Sequence, residues 1–77
     1  MPRIVPISIR KFIKYIESKG FIFSRISGSH HVYNKTGAKR PIIIPRHDKE
    51  IVPALIKSNL RTMGIDVSDY LEEIEDF

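Results

Sequence analysis

The chain has 77 residues, no cysteine, and thirteen lysine and arginine residues against nine aspartate and glutamate residues, which gives a formal net charge of +4. A chain this short buries only about 60% of the surface that it exposes when unfolded, so we expect one domain over residues 1–77 and no second core. The absence of cysteine excludes disulfides and thiolate metal sites, and no run reaches the roughly 18 apolar residues of a membrane span. These properties predict a soluble, cytoplasmic protein.

The charges are unevenly distributed along the chain. Residues 1–65 hold all thirteen basic residues and three acidic ones, a net charge of +10, whereas residues 66–77 hold six acidic residues and no basic one. A basic body of this size indicates an anionic partner, most commonly a phosphate backbone. A solvated charged surface explains the same composition, so charge alone leaves both interpretations open.

The first predicted element is a helix that begins after Ser8, a suitable N-cap, and ends at Gly20. Its apolar residues recur at the spacing of a single helical face and are Ile9, Phe12, Ile13 and Ile16. Lys11 and Lys14 fall largely off this face. A helix this short is marginal alone, so we expect its apolar face to pack on a sheet.

Three strands are predicted next, over residues 21–26, 30–35 and 40–44, because these runs are rich in β-branched and aromatic residues. Gly28 provides a tight turn between the first two, and Gly37 lies in the connection to the third. Pro41 and Pro45 cannot donate to a ladder, which favours an edge position for the third strand. The runs predict an antiparallel meander.

The turn Ser27-Gly28-Ser29 leads directly into His30 and His31. Histidine is the side chain whose ordinary titration lies near neutrality, so a rigidly held histidine on a basic surface is a candidate general acid or base. The alternative is that the two histidines are ordinary strand residues that face opposite sides of the sheet. The pattern does not say which side faces the helices.

A polar segment with the third histidine, His47, follows the third strand. Because antiparallel neighbours share an edge, the end of the third strand is expected close to the start of the second, which brings His47 towards His30. His47 is a candidate acid, although a role in ordering its loop is favoured. The histidines and carboxylates lack the spacing of a zinc site, so no metal and no cofactor are predicted.

Two further helices complete the chain. The first begins near Pro53, a residue suited to the first helical position, and ends at Gly64 with Ile65 folded back in a Schellman motif. The second follows a cap at Asp66 or Ser68, and its predicted apolar face consists of Val67, Tyr70, Leu71 and Ile74. The order α-β-β-β-α-α predicts an α+β fold like a double-stranded-RNA-binding domain, with the helices on one face of a three-stranded antiparallel sheet.

The order of these pieces resembles the HicA (YcfA-like) toxins of HicAB toxin–antitoxin systems over nearly the whole chain. The residues that carry the resemblance are Gly20-Phe21, Gly28-Ser29-His30, Tyr33, Pro45-Arg46-His47 and Leu60-Arg61-Thr62-Met63-Gly64-Ile65. The resemblance implies a small mRNA interferase that a HicB antitoxin inhibits, and it implies that His30 is the catalytic histidine. The chain departs from the family pattern at Pro53-Ala54, where Gly-Thr is usual and would favour phosphate binding.

Cleavage of RNA needs no metal because the 2′-hydroxyl is the nucleophile; it needs a base and cations that stabilise the phosphorane. We expect His30 to be the base. The residues expected to contact RNA are Lys11, Lys14, Arg25, Gly28, Ser29, Lys35, Arg46 and His47. Two hypotheses remain open: a metal-independent endoribonuclease toxin, and a non-catalytic module of the same fold that binds RNA or a protein.

Overall fold

The computed structural model describes residues 3–77, so Met1 and Pro2, the first residues of the predicted domain, lie outside it. The elements in chain order are β1 (Ile7–Ser8), α1 (Ile9–Ser18), β2 (Ile22–Ser27), β3 (His30–Asn34), β4 (Ile42–Pro45), β5 (Glu50–Ile51), α2 (Pro53–Met63), α3 (Val67–Glu73) and a 3₁₀ turn (Ile74–Asp76). The fold is α+β and has the three-stranded antiparallel sheet that the sequence predicts, with strand order β2-β3-β4.

The helix boundaries follow from local signals and confirm the predicted ones. Ser8 Oγ accepts a hydrogen bond from the Lys11 backbone N–H at 3.0 Å, which caps α1. Gly64 has a φ of 71°, and the N–H of Ile65 donates to the Leu60 carbonyl at 3.0 Å, so α2 ends in the predicted Schellman motif. Asp66 occupies the N-cap position of α3, without a capping hydrogen bond from its side chain.

The strand predictions need three corrections. The first strand is displaced by one residue to Ile22–Ser27, and the third begins at Ile42 because Pro41 cannot donate to the ladder. The sequence predicts a loop after Pro45, but Glu50–Ile51 forms β5, which pairs with β1 in a second, two-stranded antiparallel sheet. Ile7 lies opposite Ile51 in this pair. The β1–β5 pair lies beside the N-terminus of α1, where the Ile9 N–H donates to the Lys49 carbonyl at 3.0 Å.

One face of the three-stranded sheet carries the core. Tyr33 pairs with Ile42 and His31 with Ile44, so these four side chains lie on that face. The helices cover it with residues that are at most 1% exposed: Phe12, Tyr15 and Ile16 of α1, Ile56 and Leu60 of α2, and Tyr70 of α3. The apolar face predicted for α1 is therefore confirmed, and the burial of Tyr15 is an addition to it.

The C-terminal helix is attached to α1 by aromatic and polar contacts. The rings of Tyr15 and Tyr70 meet edge to face with their centroids 5.2 Å apart. Tyr15 Oη donates to Glu73 Oε1 at 2.8 Å, and Lys19 Nζ lies 3.0 Å from the same oxygen. Burial, and then the bond to Glu73, raise the pKa of Tyr15, whereas the hydrogen bonds from Tyr15 and Lys19 lower the pKa of Glu73. The last helix is thus part of the packed body.

Candidate active site

The turn that leads into His30 is a two-residue connection between β2 and β3. Ser27 and His30 are paired across the hairpin, and Gly28 at its tip has a φ of 59°. Other residues adopt this left-handed conformation only at a cost, so glycine allows the chain to reverse within two residues. Because His30 follows immediately, its backbone is fixed by the pairing of β3 with both neighbouring strands.

The two histidines face opposite sides of the sheet, as the alternation predicts. His31 lies on the core face, where its ring stands 5.6 Å from the Phe23 ring in an edge-to-face contact. His30 is exposed and lies on the other face together with Val32. The sheet residues of the hydrophobic core, Tyr33, Ile42 and Ile44, lie on the opposite face from His30. The structure therefore gives His30 free access to a large ligand.

Two arginines lie close to His30 in the sheet. Arg25 pairs with Val32, which makes it a diagonal neighbour of His30 on the same face, at a Cβ separation of about 7 Å. Pro45 pairs directly with His30, and the following Arg46 donates its backbone N–H to the Ser29 carbonyl at 2.8 Å. This bond holds the start of the β4–β5 connection against the glycine turn. The backbone of Arg25 and that of Arg46 are thus both fixed close to the backbone of His30.

The shared edge predicted for His30 and the end of the third strand is confirmed by the pairing of His30 with Pro45. His47 lies two residues beyond Pro45 and is exposed, so it belongs to the same end of the sheet. On α1, Lys14 is exposed and Lys11 is half-buried. Lys14 lines an open cleft with Asp48 and Lys49 of the β4–β5 connection, which places it beside the segment that carries His47.

Lys35 lies at the opposite end of β3 from His30, five residues along the strand and therefore about 17 Å away. Its Nζ stands 5.8 Å from the centroid of the Phe21 ring, and a Cβ added at Gly20 would be 3.1 Å from its Cε. The structure thus separates Lys35 from the group formed by Arg25, Gly28, Ser29, His30 and Arg46. Any contact of Lys35 with RNA has to be made at a distance from His30.

The N-terminus of α2, where the chain departs from the resemblance described above, begins with Pro53. Val52 is the N-cap residue and makes no capping hydrogen bond through its side chain.

Over residues 3–77, no group of three or more histidine or carboxylate side chains is placed to hold a metal ion. Within the same range, no helix is long and apolar enough to cross a membrane.

A group of cations that sequence reasoning did not single out lies at the far end of the sheet. Lys39 and Arg40 in the β3–β4 connection share a cleft with Arg61 of α2. The dipeptide Lys39-Arg40 is a visible local signal in the sequence. The proximity of this dipeptide to Arg61 is not visible in the sequence, because that proximity depends on how α2 packs beside β4.

Comparison with known families gives a match that covers most of the chain. A family model described as "HicA toxin of bacterial toxin-antitoxin" matches residues 9–65, which run from the first residue of α1 to just beyond the end of α2. The match includes the glycine turn, His30 and the two arginines beside it. No curated protein matches the chain.

Proposed function

The chain belongs to the HicA toxin family of bacterial toxin–antitoxin systems, and on that premise we propose that it is an endoribonuclease that cleaves mRNA with His30 as the general base. The toxin role follows from the family itself. The observation that supports the proposed chemistry is the position of His30, which is exposed at the start of β3, follows a glycine turn, and has the backbone of Arg25 and Arg46 close to its own. A base beside fixed cations is the arrangement that cleavage through the 2′-hydroxyl requires.

In the proposed reaction, His30 removes the proton of a ribose 2′-hydroxyl. The 2′-oxygen attacks the adjacent phosphorus, the bond from phosphorus to the 5′-oxygen breaks, and the products are a 2′,3′-cyclic phosphate and a 5′-hydroxyl. The leaving oxygen takes a proton from water or from His47, which belongs to the same end of the sheet. Arg25 and Arg46 offer positive charge to the phosphorane, whose negative charge is larger than that of the starting diester.

The proposed partners are mRNA and a HicB-type antitoxin. An antitoxin that prevents RNA from reaching His30 has to cover an exposed surface that carries Arg25 and Arg46, so we expect it to present carboxylates there. Competition between the antitoxin and an uncleavable 2′-O-methyl RNA, measured at low and high salt, tests this expectation. Simultaneous binding of both would contradict it.

The decisive experiment compares two neighbouring substitutions, His30→Ala and His31→Ala, for cleavage of RNA by the pure protein in excess chelator. We expect His30→Ala to retain the fold and RNA binding and to lose cleavage by roughly two to four orders of magnitude. His31 faces the core side and contacts Phe23, so His31→Ala is the matched control, with cleavage per folded molecule unchanged. End-group analysis should find 5′-hydroxyl and cyclic phosphate termini.

The possible failures of this experiment are distinct. Cleavage that survives His30→Ala and disappears in His31→Ala would show that His31, and not His30, is the base. Cleavage that stops in chelator would refute the metal-independent reaction. A wild-type protein that binds RNA and never cleaves it would favour the non-catalytic module of the same fold.

A further inference from the structure

The cations at the far end of the sheet form a surface cleft with hydroxyl groups beside them. Lys39 and Arg40 from the β3–β4 connection and Arg61 from α2 line this cleft, and we call these three residues the distal basic cluster. Ser58 and Thr62 of α2 complete the lining, and no acidic residue takes part in it. A phosphate group accepts hydrogen bonds from guanidinium, ammonium and hydroxyl donors, and all three kinds of donor line this cleft.

The α2 side of the cleft is held in place by packing and by a hydrogen bond to β4. Asn59 is only 5% exposed, and its Nδ2 donates to the Ile43 carbonyl at 3.5 Å, which attaches α2 to the outer edge of β4. Ile56 and Leu60 anchor α2 in the core. Arg61 therefore has a fixed backbone position relative to the start of β4, which Lys39 and Arg40 precede.

The cationic surface continues beyond this cleft. An adjoining cleft is lined by Lys35, Lys39 and Thr62 together with Phe21 and Met63, so Lys39 and Thr62 belong to both. Lys35 lies across Gly20 with its Nζ near the Phe21 ring. Four basic side chains thus follow one another along this end of the molecule.

These cations have no carboxylate partner in the described part of the chain. The ion pair found within residues 3–77 joins Lys19 to Glu73, and neither of these residues lines either cleft. Arg61 lies in the last turn of α2, where the helix dipole favours a cation. Lys39 and Arg40 have no such compensation, and an anion in the cleft would relieve their mutual repulsion.

The distal basic cluster and His30 lie at opposite ends of β4. Arg40 precedes this strand, and Pro45, the pairing partner of His30, ends it. Five residues of strand span about 17 Å, which is the rise of about five nucleotides along one strand of a nucleic-acid duplex. An RNA strand that runs along this edge from His30 would bring later phosphates to Lys39, Arg40 and Arg61.

We propose that the distal basic cluster binds backbone phosphates of the RNA about five nucleotides from the bond that His30 cleaves. The proposal rests on the proposed function for the identity of the cleaved bond, but the phosphate contacts themselves do not depend on cleavage. Contacts of this kind carry no base specificity. They increase affinity for RNA long enough to reach both sites.

The test neutralises the cluster with Lys39→Gln/Arg40→Gln and compares it with Arg3→Gln/Lys57→Gln, an equal change of charge at exposed residues that line neither cleft. Binding of an uncleavable 2′-O-methyl RNA of about twelve nucleotides is measured over a range of salt concentrations. Loss of two phosphate contacts should reduce the magnitude of the slope of log K against log salt by about 1.4 and weaken binding about tenfold at physiological salt. The control pair and the charge-preserving Lys39→Arg/Arg40→Lys should leave the slope unchanged.

Cleavage kinetics supply a second, length-dependent measurement. For a cleavable RNA of about twelve nucleotides, KM should rise in the cluster variant with kcat unchanged, whereas an RNA of about four nucleotides, too short to reach the cluster, should be cleaved as by wild type. Equal effects of the cluster and control variants on the salt slope would overturn the proposal, as would a cluster variant that binds polyglutamate more weakly and RNA normally. Wild-type protein that binds the long RNA through the cluster without cleaving it would refute the proposed function and leave the binding proposal standing.

Discussion

The two faces of the central sheet differ in their residues and in how deeply these are buried. On the core face, Ile42 and Ile44 are fully buried and belong to one cluster with Phe12 and Tyr15 of α1 and Tyr70 of α3. On the other face Val32 is also buried, but Arg25 and the catalytic candidate His30 are exposed. Stability therefore depends mainly on residues of one face, and the proposed chemistry on residues of the other. Substitutions should separate the two properties.

The acidic C-terminal segment packs on the core side of the molecule, with the residues on which stability depends. Tyr70 and Ile74 are buried in the core, and Glu73 accepts the hydrogen bond from Tyr15 and pairs with Lys19. These contacts attach the segment to α1, on the side of the sheet opposite to the His30 side chain. They favour a structural role for residues 66–77 over an inhibitory one.

Truncation after Ile65 should have the largest effect on stability. It removes Tyr70 and Ile74 from the core, and each buried side chain of this size contributes about 1.5–3 kcal/mol, so the free energy of unfolding should fall by roughly 4 kcal/mol. Cleavage per folded molecule should not change. Urea denaturation and single-turnover cleavage measure the two quantities.

A second variant separates packing from charge in the same segment. Glu72→Gln/Glu75→Gln/Asp76→Asn keeps the apolar contacts and removes three exposed negative charges. If the segment inhibits the toxin, this variant should be more active and equally stable. On the packing interpretation its activity matches that of wild type.

Neutralising Lys11 and Lys14 should have the opposite profile, with an effect on binding and little on stability. Two lost phosphate contacts should reduce the magnitude of the salt slope for single-stranded RNA by about 1.4. The capping bond at Ser8 uses the Lys11 backbone, so the free energy of unfolding should change by less than about 0.5 kcal/mol. A salt slope equal to that of Arg3→Gln/Lys57→Gln would place the RNA surface elsewhere.

Much of the fold could be predicted because its signals are local. The cap at Ser8 and the Schellman motif at Gly64 depend on residues within one helical turn, and the two-residue turn at Gly28 determines the pairing of β2 with β3. The β1–β5 pair could not be predicted in this way. It joins two-residue segments 44 positions apart, Ile7 opposite Ile51, and neither is long enough to show a strand pattern.

The candidate site was only partly predictable for a related reason. Alternation shows that His30 and His31 face opposite sides, but the identity of the open side depends on where the helices pack, and Ile42 and Ile44 determine that. Lys35 is close to His30 in sequence, yet the extended strand carries it to the far end. At that end of the sheet Lys35 lines a cleft with Lys39. The order of the sequence alone does not show that Lys39 lies near Arg61.

The last comparison concerns two buried tyrosines that differ in one contact. Tyr15 Oη donates to Glu73, whereas the Tyr70 hydroxyl is buried without a hydrogen-bond partner among the described residues. Tyr70→Phe should therefore raise the free energy of unfolding, by about 1 kcal/mol, since it removes a polar group whose burial is not compensated. Tyr15→Phe, the matched control, should lower it.

The pH dependence distinguishes this explanation from a simple change in packing. Burial raises the pKa of Tyr70 to about 12, above the value of about 10 in the unfolded chain. The protonated tyrosine is favoured by folding, so its contribution to stability is fully present below pH 10 and is lost as the pH rises from 10 towards 12. Between these values the advantage of Tyr70→Phe over wild type should grow by about 1.4 kcal/mol per pH unit, since phenylalanine has no proton to lose. Urea denaturation at pH 7, 10 and 11 measures the difference, and an advantage that stays constant with pH would show that Tyr70 ionises equally in both states.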